Sequence, residues 1–272
     1  MTKQEKKDRL TIKNDGLYIV IFVCKNFRST QGKQGYFREW LRIDMYSGND
    51  KPFMKLKRNT FLEKGFELFS EKGIEAVTMQ DVAQASGYGV ATLYRYFNSK
   101  PELVIAIAVR KWDEYLSKNS SRNSEGGTAA EVFAFYLDSF VDLYRNHRNM
   151  LRFNQFFNIF LQTEKIDAET MEPYQKVIRS IADRFHAMYE RGKSDHTLRV
   201  DIPEEKMFSL TLHLMLAAAT RYAVGLVYQP YPDYDPGTEL EILRDVLYEK
   251  YTLMEQVPQR LLILNSCRKT GF

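Results

Sequence analysis

Residues 78–97 read TMQDVAQASGYGVATLYRYF, and the caps, apolar positions and glycines of this stretch decide the fold. Thr78 and Asp81 stand three apart as a capping box, in which each side chain takes a backbone N–H of the other residue, so a short helix opens here. Gly87 ends it, and a second helix is expected from about Gly89 to Phe97. Upstream, Leu62, Phe66 and Phe69 recur at i, i+4 and i+7 and predict a helix that stops at Gly73. Downstream, Lys100-Pro-Glu-Leu opens a fourth, with Pro101 in the first turn, where a missing N–H costs nothing. Val82 and Ala83 on one short helix, and Leu93 and Phe97 on the other, are spaced to pack inward on Leu62, Phe66 and Phe69. Gly89, Val90, Thr92, Arg95 and Tyr96 are left facing outward.

Two short helices about a glycine turn have a plain structural use, as part of a bundle. They also have a chemical one. The major groove of B-DNA is about 12 Å wide and admits a single helix, which a second helix crossing behind it holds at a fixed angle. A small, polar outer face suits that role. Tyr88 reads as core or hinge rather than as a reader, and Tyr94 has one side free to pack on the fourth helix.

The longer stretch EKGFELFSEKGIEAVTMQDVAQASGYGVATLYRYFNSKPEL, residues 63–103, resembles the DNA-binding domain of the TetR family of regulators along its whole length. The resemblance implies an all-α chain: three amino-terminal helices on an operator and a carboxy-terminal bundle that dimerises and releases DNA when a small molecule binds. By the same resemblance Thr78, Gln80, Thr92, Tyr94, Tyr96 and Lys100 match positions that meet the phosphate backbone, which positions a protein without reading sequence. Gly89, Val90, Ala91 and Arg95 match the variable reading positions, where an arginine can donate two bonds to guanine and small residues admit a thymine methyl. Tyr88 stands where an aliphatic is usual and Ala91 where glycine is frequent; both departures bear on operator sequence rather than fold.

The rest of the 272 residues narrows the class. Net charge is +4, and residues 1–53 hold eleven Lys or Arg against six Asp or Glu, leaving a nearly neutral body. Contact with nucleic acid must then come from a local cluster, not a polybasic chain. Residues 1–53 read as an extension containing one strand-like run, Leu17–Val23. It is an upstream translated piece with the working protein starting near Met45 or Met54, an ordered part of the fold, or a basic arm on DNA. Cys24 and Cys267 offer neither a disulfide framework nor metal-ligand spacing, which fits a reducing, cytoplasmic setting. No run is long enough to cross a bilayer, so no membrane partner is expected.

The expected division is 1–53 extension, 54–101 helix-turn-helix domain, 102–257 ligand-binding and dimerisation bundle, and 258–272 tail. A polar, glycine-bearing linker spans Ser117–Gly127. Amphipathic helices follow at about Ala129–Asn146, Asn149–Gln162, Pro173–Arg191, Pro203–Tyr228 and Thr238–Glu255. Aromatic side chains crowd the first three of these. Singly, such stripes are core; together, Phe133, Tyr136, Phe140, Phe153, Phe156, Phe157, Phe160, Phe185 and Tyr189 suit a pocket for an apolar or aromatic effector. Leu212, Met215, Ala219 and Tyr222, with Val246, Leu247 and Tyr251, are the expected homodimer seam. The four histidines show no metal spacing, and no nucleophile elbow, phosphate loop or nucleotide-binding glycine run is present, so no cofactor, metal or enzymatic activity is expected. The expected partners are double-stranded DNA, a small-molecule effector and a second copy of the chain. The competing expectation is a helical sensor of the same fold controlled by a protein partner.

Overall fold

The computed structural model describes residues 51–120, 127–228 and 234–253; among them the chain is all-α, with one isolated antiparallel bridge, Leu198 to Thr252. The strand-like run Leu17–Val23, most of the linker and the 258–272 tail lie outside the described residues.

Helix α1 (Lys51–Lys72) begins ahead of the expected boundary at 54 and stops where expected, at Gly73 with φ +87°. Helices α2 (Met79–Ala85) and α3 (Val90–Tyr94) form the helix-turn-helix pair, and α4 (Lys100–Ser120) leads away from it. The body comprises α5 (Ala129–Asn146), α6 (Arg148–Thr163), α7 (Ala168–Asp195), α8 (Glu204–Thr211), a π-helical turn at Leu212–Leu216, α9 (Ala217–Ala223) and α10 (Pro236–Tyr251). Buried side chains form one connected cluster from Phe61 to Tyr251. Helix α4 serves both halves, with Leu103 and Ile107 under the helix-turn-helix and Trp112 and Tyr115 in the body.

Several helix bounds differ from expectation, α10 among them: the Asp235 carboxylate caps it ahead of Thr238, and it ends at Tyr251 instead of Glu255, with Thr252 in extended backbone. Helix α7 starts at Ala168, not Pro173, because the Asp167 carboxylate accepts the Thr170 N–H at 2.8 Å and caps an earlier turn. Pro173 is therefore interior, in the second turn, where it cannot donate the ladder bond an N–H would make to the Glu169 carbonyl. The helix expected over Pro203–Tyr228 is interrupted by the π turn and ends at Ala223, where Gly225 adopts φ +81° and Leu226 N–H reaches back to the Arg221 carbonyl at 3.1 Å. The second helix of the pair stops at Tyr94 instead of running to Phe97. Tyr96 N–H bonds the Leu93 carbonyl at 2.9 Å in a tightened last turn, and Asn98 and Ser99 then cap α4.

The body grips the helix-turn-helix through α6. Arg152 donates from Nε to the Ser70 carbonyl at 3.0 Å and from a guanidinium nitrogen to the Glu71 carbonyl at 3.3 Å, satisfying acceptors at the end of α1. Phe153 packs on Phe66, with ring centroids 5.6 Å apart. On the far side, Arg244 of α10 pairs with Asp138 of α5 at 2.8 Å.

Candidate nucleic-acid interface

The capping box forms as the sequence predicts: Thr78 Oγ1 accepts the Asp81 N–H at 3.1 Å, and the Asp81 carboxylate accepts the Thr78 N–H at 2.8 Å. The Thr78 hydroxyl also donates to that carboxylate at 2.6 Å, and this bond first, the Thr78 N–H second, holds the Asp81 carboxyl below its ordinary range. Gly87 turns the chain at φ +74°, and Gly89 caps α3 in extended backbone at φ −72°. Beneath lie Val82, Ala83, Leu93 and Phe97, each at most 1% exposed, together with Leu62 and Phe69. Phe61, absent from the sequence argument, is also fully buried. Its ring meets Tyr88 at 5.4 Å and Tyr96 at 5.7 Å, so it is the floor on which the turn and the end of the pair rest. The clue was Phe61, Gly65 and Phe69 at i, i+4 and i+8, a second apolar row beside the one read. Phe66 is only half-buried and faces α6 through Phe153.

Of the expected backbone-contacting residues, Thr78, Gln80 and Tyr94 are exposed, Tyr94 by 47%, while Thr92 and Tyr96 are half-buried. Lys100 is half-buried too and donates Nζ to the Glu75 carbonyl at 3.4 Å, tying α4 to the loop before α2; burial lowers its pKa, against the nearby charges of Glu164, Glu75 and Asp81. The expected readers Gly89, Val90, Ala91 and Arg95 are all exposed and contiguous about α3, with Arg95 at its carboxy-terminal cap. Nothing lies within 4 Å of a Cβ built on Gly89, so this end of α3 presents bare backbone. The surface is thus small, with Arg95 as its protruding cation.

The expected pocket residues close on one another. Phe133, Phe140, Phe153, Phe157, Phe160, Phe185 and Tyr189 are at most 5% exposed, and Tyr136 and Phe156 are half-buried. Tyr136 lies edge-on to Phe140 at 5.2 Å and Phe185 at 5.5 Å, and its buried hydroxyl has no hydrogen-bond partner among the described residues, burial raising its pKa.

The expected dimer seam divides. Met215, Ala219, Leu247 and Tyr251 are at most 1% exposed and fill the protomer's own core; Leu212 and Tyr222 are half-buried, and Val246 is 54% exposed. Each helix has two apolar faces, and a stripe read from sequence does not say which looks inward. The apolar side chains left outside on these elements are Leu210, Leu214, Ile242 and Val246. One grouping escaped the spacing argument because it is distant in sequence: His186, Glu190 and Glu204 meet across α7 and α8, with His186 Nδ1 2.9 Å from Glu204. Lys193 already neutralises Glu190, and His186 and Glu204 pair with each other.

Residues 61–107 match the family described as bacterial regulatory proteins, tetR family. An HTH-type transcriptional regulator of Staphylococcus aureus (strain MRSA252) is 28% identical over 98 residues, 36% of this chain and 53% of that protein. The chain thus spans about half the length of the curated relatives it matches. Among solved structures, a putative transcriptional regulator from Saccharomonospora viridis in complex with choline has a TM-score of 0.60 at 14% identity, covering 73% of this chain and 99% of that one. The regulator FadR from Bacillus subtilis in complex with stearoyl-CoA has a TM-score of 0.56 at 15% identity, covering 70% and 96%. At these identities the likeness is one of fold. No described helix is long and apolar enough to cross a membrane.

Proposed function

We propose, from the premise that this chain is a TetR-family regulator carrying that family's helix-turn-helix domain at residues 61–107, that it is a DNA-binding transcriptional repressor working as a homodimer on a palindromic operator. The observation that carries this is the exposed, contiguous set of Gly89, Val90, Ala91 and Arg95 on a helix locked from below by Leu93 and Phe97. A rigid short helix with a bare amino-terminal end and one arginine can approach base edges closely. Thr78, Gln80, Thr92, Tyr94, Tyr96 and Lys100 would hold the phosphates on either side. Residues 54–101 are the reading unit on this account, and 102–257 the sensing and dimerising body.

The effector is read as a small apolar or aromatic molecule admitted among the body's rings. Support comes from the Tyr136 hydroxyl, buried without a partner: such a group is costly to bury unpaired, and a ligand offering a hydrogen bond there would recover that cost. Release follows if entry of the ligand moves α6, since Arg152 and Phe153 carry any shift to the end of α1. The dimer is assigned to the outer faces of α8, the π turn after it and α10, where Leu210, Leu214, Ile242 and Val246 remain uncovered.

The test is a gel shift of the full chain on the intergenic DNA flanking its gene. Specific retardation that weakens steeply with salt is expected, Lys100→Ala weakening binding to every sequence alike. Absence of any sequence-specific complex contradicts the reading.

A further inference from the structure

A cleft of about 470 Å³ opens at the seam between α1, α4 and the α5–α6 turn, apart from the aromatic interior assigned to the effector. Its volume is in the range of small-molecule sites. Phe66, Tyr115 and Met150 supply apolar surface. The charged groups on its wall are strongly one-sided: Lys111, Lys118, Arg145 and Arg148 against Glu114 alone.

The cations are held by partners on different elements. Lys111 of α4 reaches Glu63 of α1 at 2.8 Å and Glu114 of its own helix at 3.4 Å, and lies over the Phe66 ring at 4.6 Å. Arg145 of α5 pairs at 2.8 Å with Glu241 of α10. Arg148, in the first turn of α6, has no carboxylate partner among the described residues; Nε donates to the Tyr144 carbonyl at 3.2 Å and the guanidinium stacks on that ring at 4.6 Å. A guanidinium placed so keeps donors for a planar or tetrahedral anion, and such bonds are the strong ones.

We propose that this cleft is a second binding site, for a small organic anion: a carboxylate or phosphate ester carrying a flat apolar body. The anion takes Arg148 and Lys111, and the body rests on Phe66 and Tyr115. Because Lys111 shares Glu63 of α1 with Arg110, which pairs with it at 2.8 Å, an arriving anion competes for one of the two ion pairs at the seam next to the helix-turn-helix and leaves the other in place. The site therefore answers to the charge of a ligand, whereas the aromatic interior answers to its apolar bulk.

The test titrates the full chain, without DNA, with 1-naphthoate, 1-naphthyl phosphate and the neutral 1-naphthalenemethanol by calorimetry. Saturable binding of at least one of the two anions is expected, at least tenfold tighter than the neutral compound and weakening with added NaCl; which anion wins separates carboxylate from phosphate. Arg148→Ala and Lys111→Met should each weaken the anion at least tenfold while leaving the circular dichroism spectrum unchanged. Arg145→Gln replaces either variant that fails to fold. Equal affinity for the neutral compound, no binding of either anion, or folded variants that bind as the parent does would overturn the proposal. DNA plays no part in the assay, so its outcome is independent of the operator reading.

Discussion

Gly87 and Gly89 stand two residues apart in one turn and are constrained in opposite ways. Gly87 sits at φ +74° with open space around it, so a methyl there meets no atom and only backbone strain. Gly87→Ala is expected to cost about 1–2 kcal/mol of stability in chemical denaturation, the left-handed penalty for a residue with a Cβ. Gly89, equally open but at φ −72°, meets no backbone strain, so alanine there should cost less than at Gly87, only the loss of a favourable cap residue. On the proposed reading Gly89→Ala changes DNA affinity as well, because its methyl points where base edges would lie. Deeper in the body, Tyr136→Phe removes the hydroxyl that has no partner. Thermal unfolding should show the variant at least as stable as the parent, since an unpaired buried polar group is lost; a clear destabilisation would mean that the hydroxyl is satisfied in the native protein. These distinctions were not legible in sequence, where Gly87 reads as a helix end, Gly89 as the start of the next helix and a reading position, and Tyr136 as one ring among many.

Among the elements, the apolar pattern places α5 and α6 to within one residue, α6 without any side-chain cap. Thr128 and Glu131 form a capping box, and α5 runs over Ala129–Asn146, the span that its apolar pattern predicts. Helix α7 was misplaced because Pro173 looked like a first-turn residue while Asp167 is the true cap; a proline permits a start but does not require one. The end of α3 depends on the need to bury Phe97 and cap α4 at once, a tertiary demand with no local signal. The α2 cap also makes a pH prediction. The Asp81 pKa is depressed by bonds from Thr78, so its stabilising contribution is complete above the ordinary value near 3.8 and is lost as pH falls through the lower, folded value. Asp81→Asn should flatten the acid limb of the stability profile below about pH 4, and an unchanged limb would argue against the box. The partners of Arg152 are backbone carbonyls of α1, which no side-chain pattern reveals.

For the whole molecule, the core and the outer face of α10 can be told apart by neighbouring residues. Leu247 is 1% exposed, and Leu247→Ala should destabilise the protomer by about 2–5 kcal/mol, read in urea unfolding. Val246 is 54% exposed, and Val246→Glu should leave the protomer folded while shifting sedimentation from dimer to monomer. Retention of the dimer in that variant would move the interface elsewhere. That two apolar stripes exist on the last helices was legible; which of them faces a partner was not, because burial in the protomer's own bundle depends on how α5 and α10 meet. On the proposed reading a dimer would set two copies of α3 at a fixed separation, and a reader of this size needs two half-sites to discriminate. The central claim, that α3 reads DNA through Arg95 on a two-fold protein, is tested most directly by selecting bound sequences from random duplex DNA with the parent chain and with Arg95→Ala in parallel. The account predicts an enriched palindrome for the parent and, for the variant, loss of preference at one symmetric guanine pair with the rest of the motif kept. No enrichment by the parent, or the same motif at full strength from both, would contradict it.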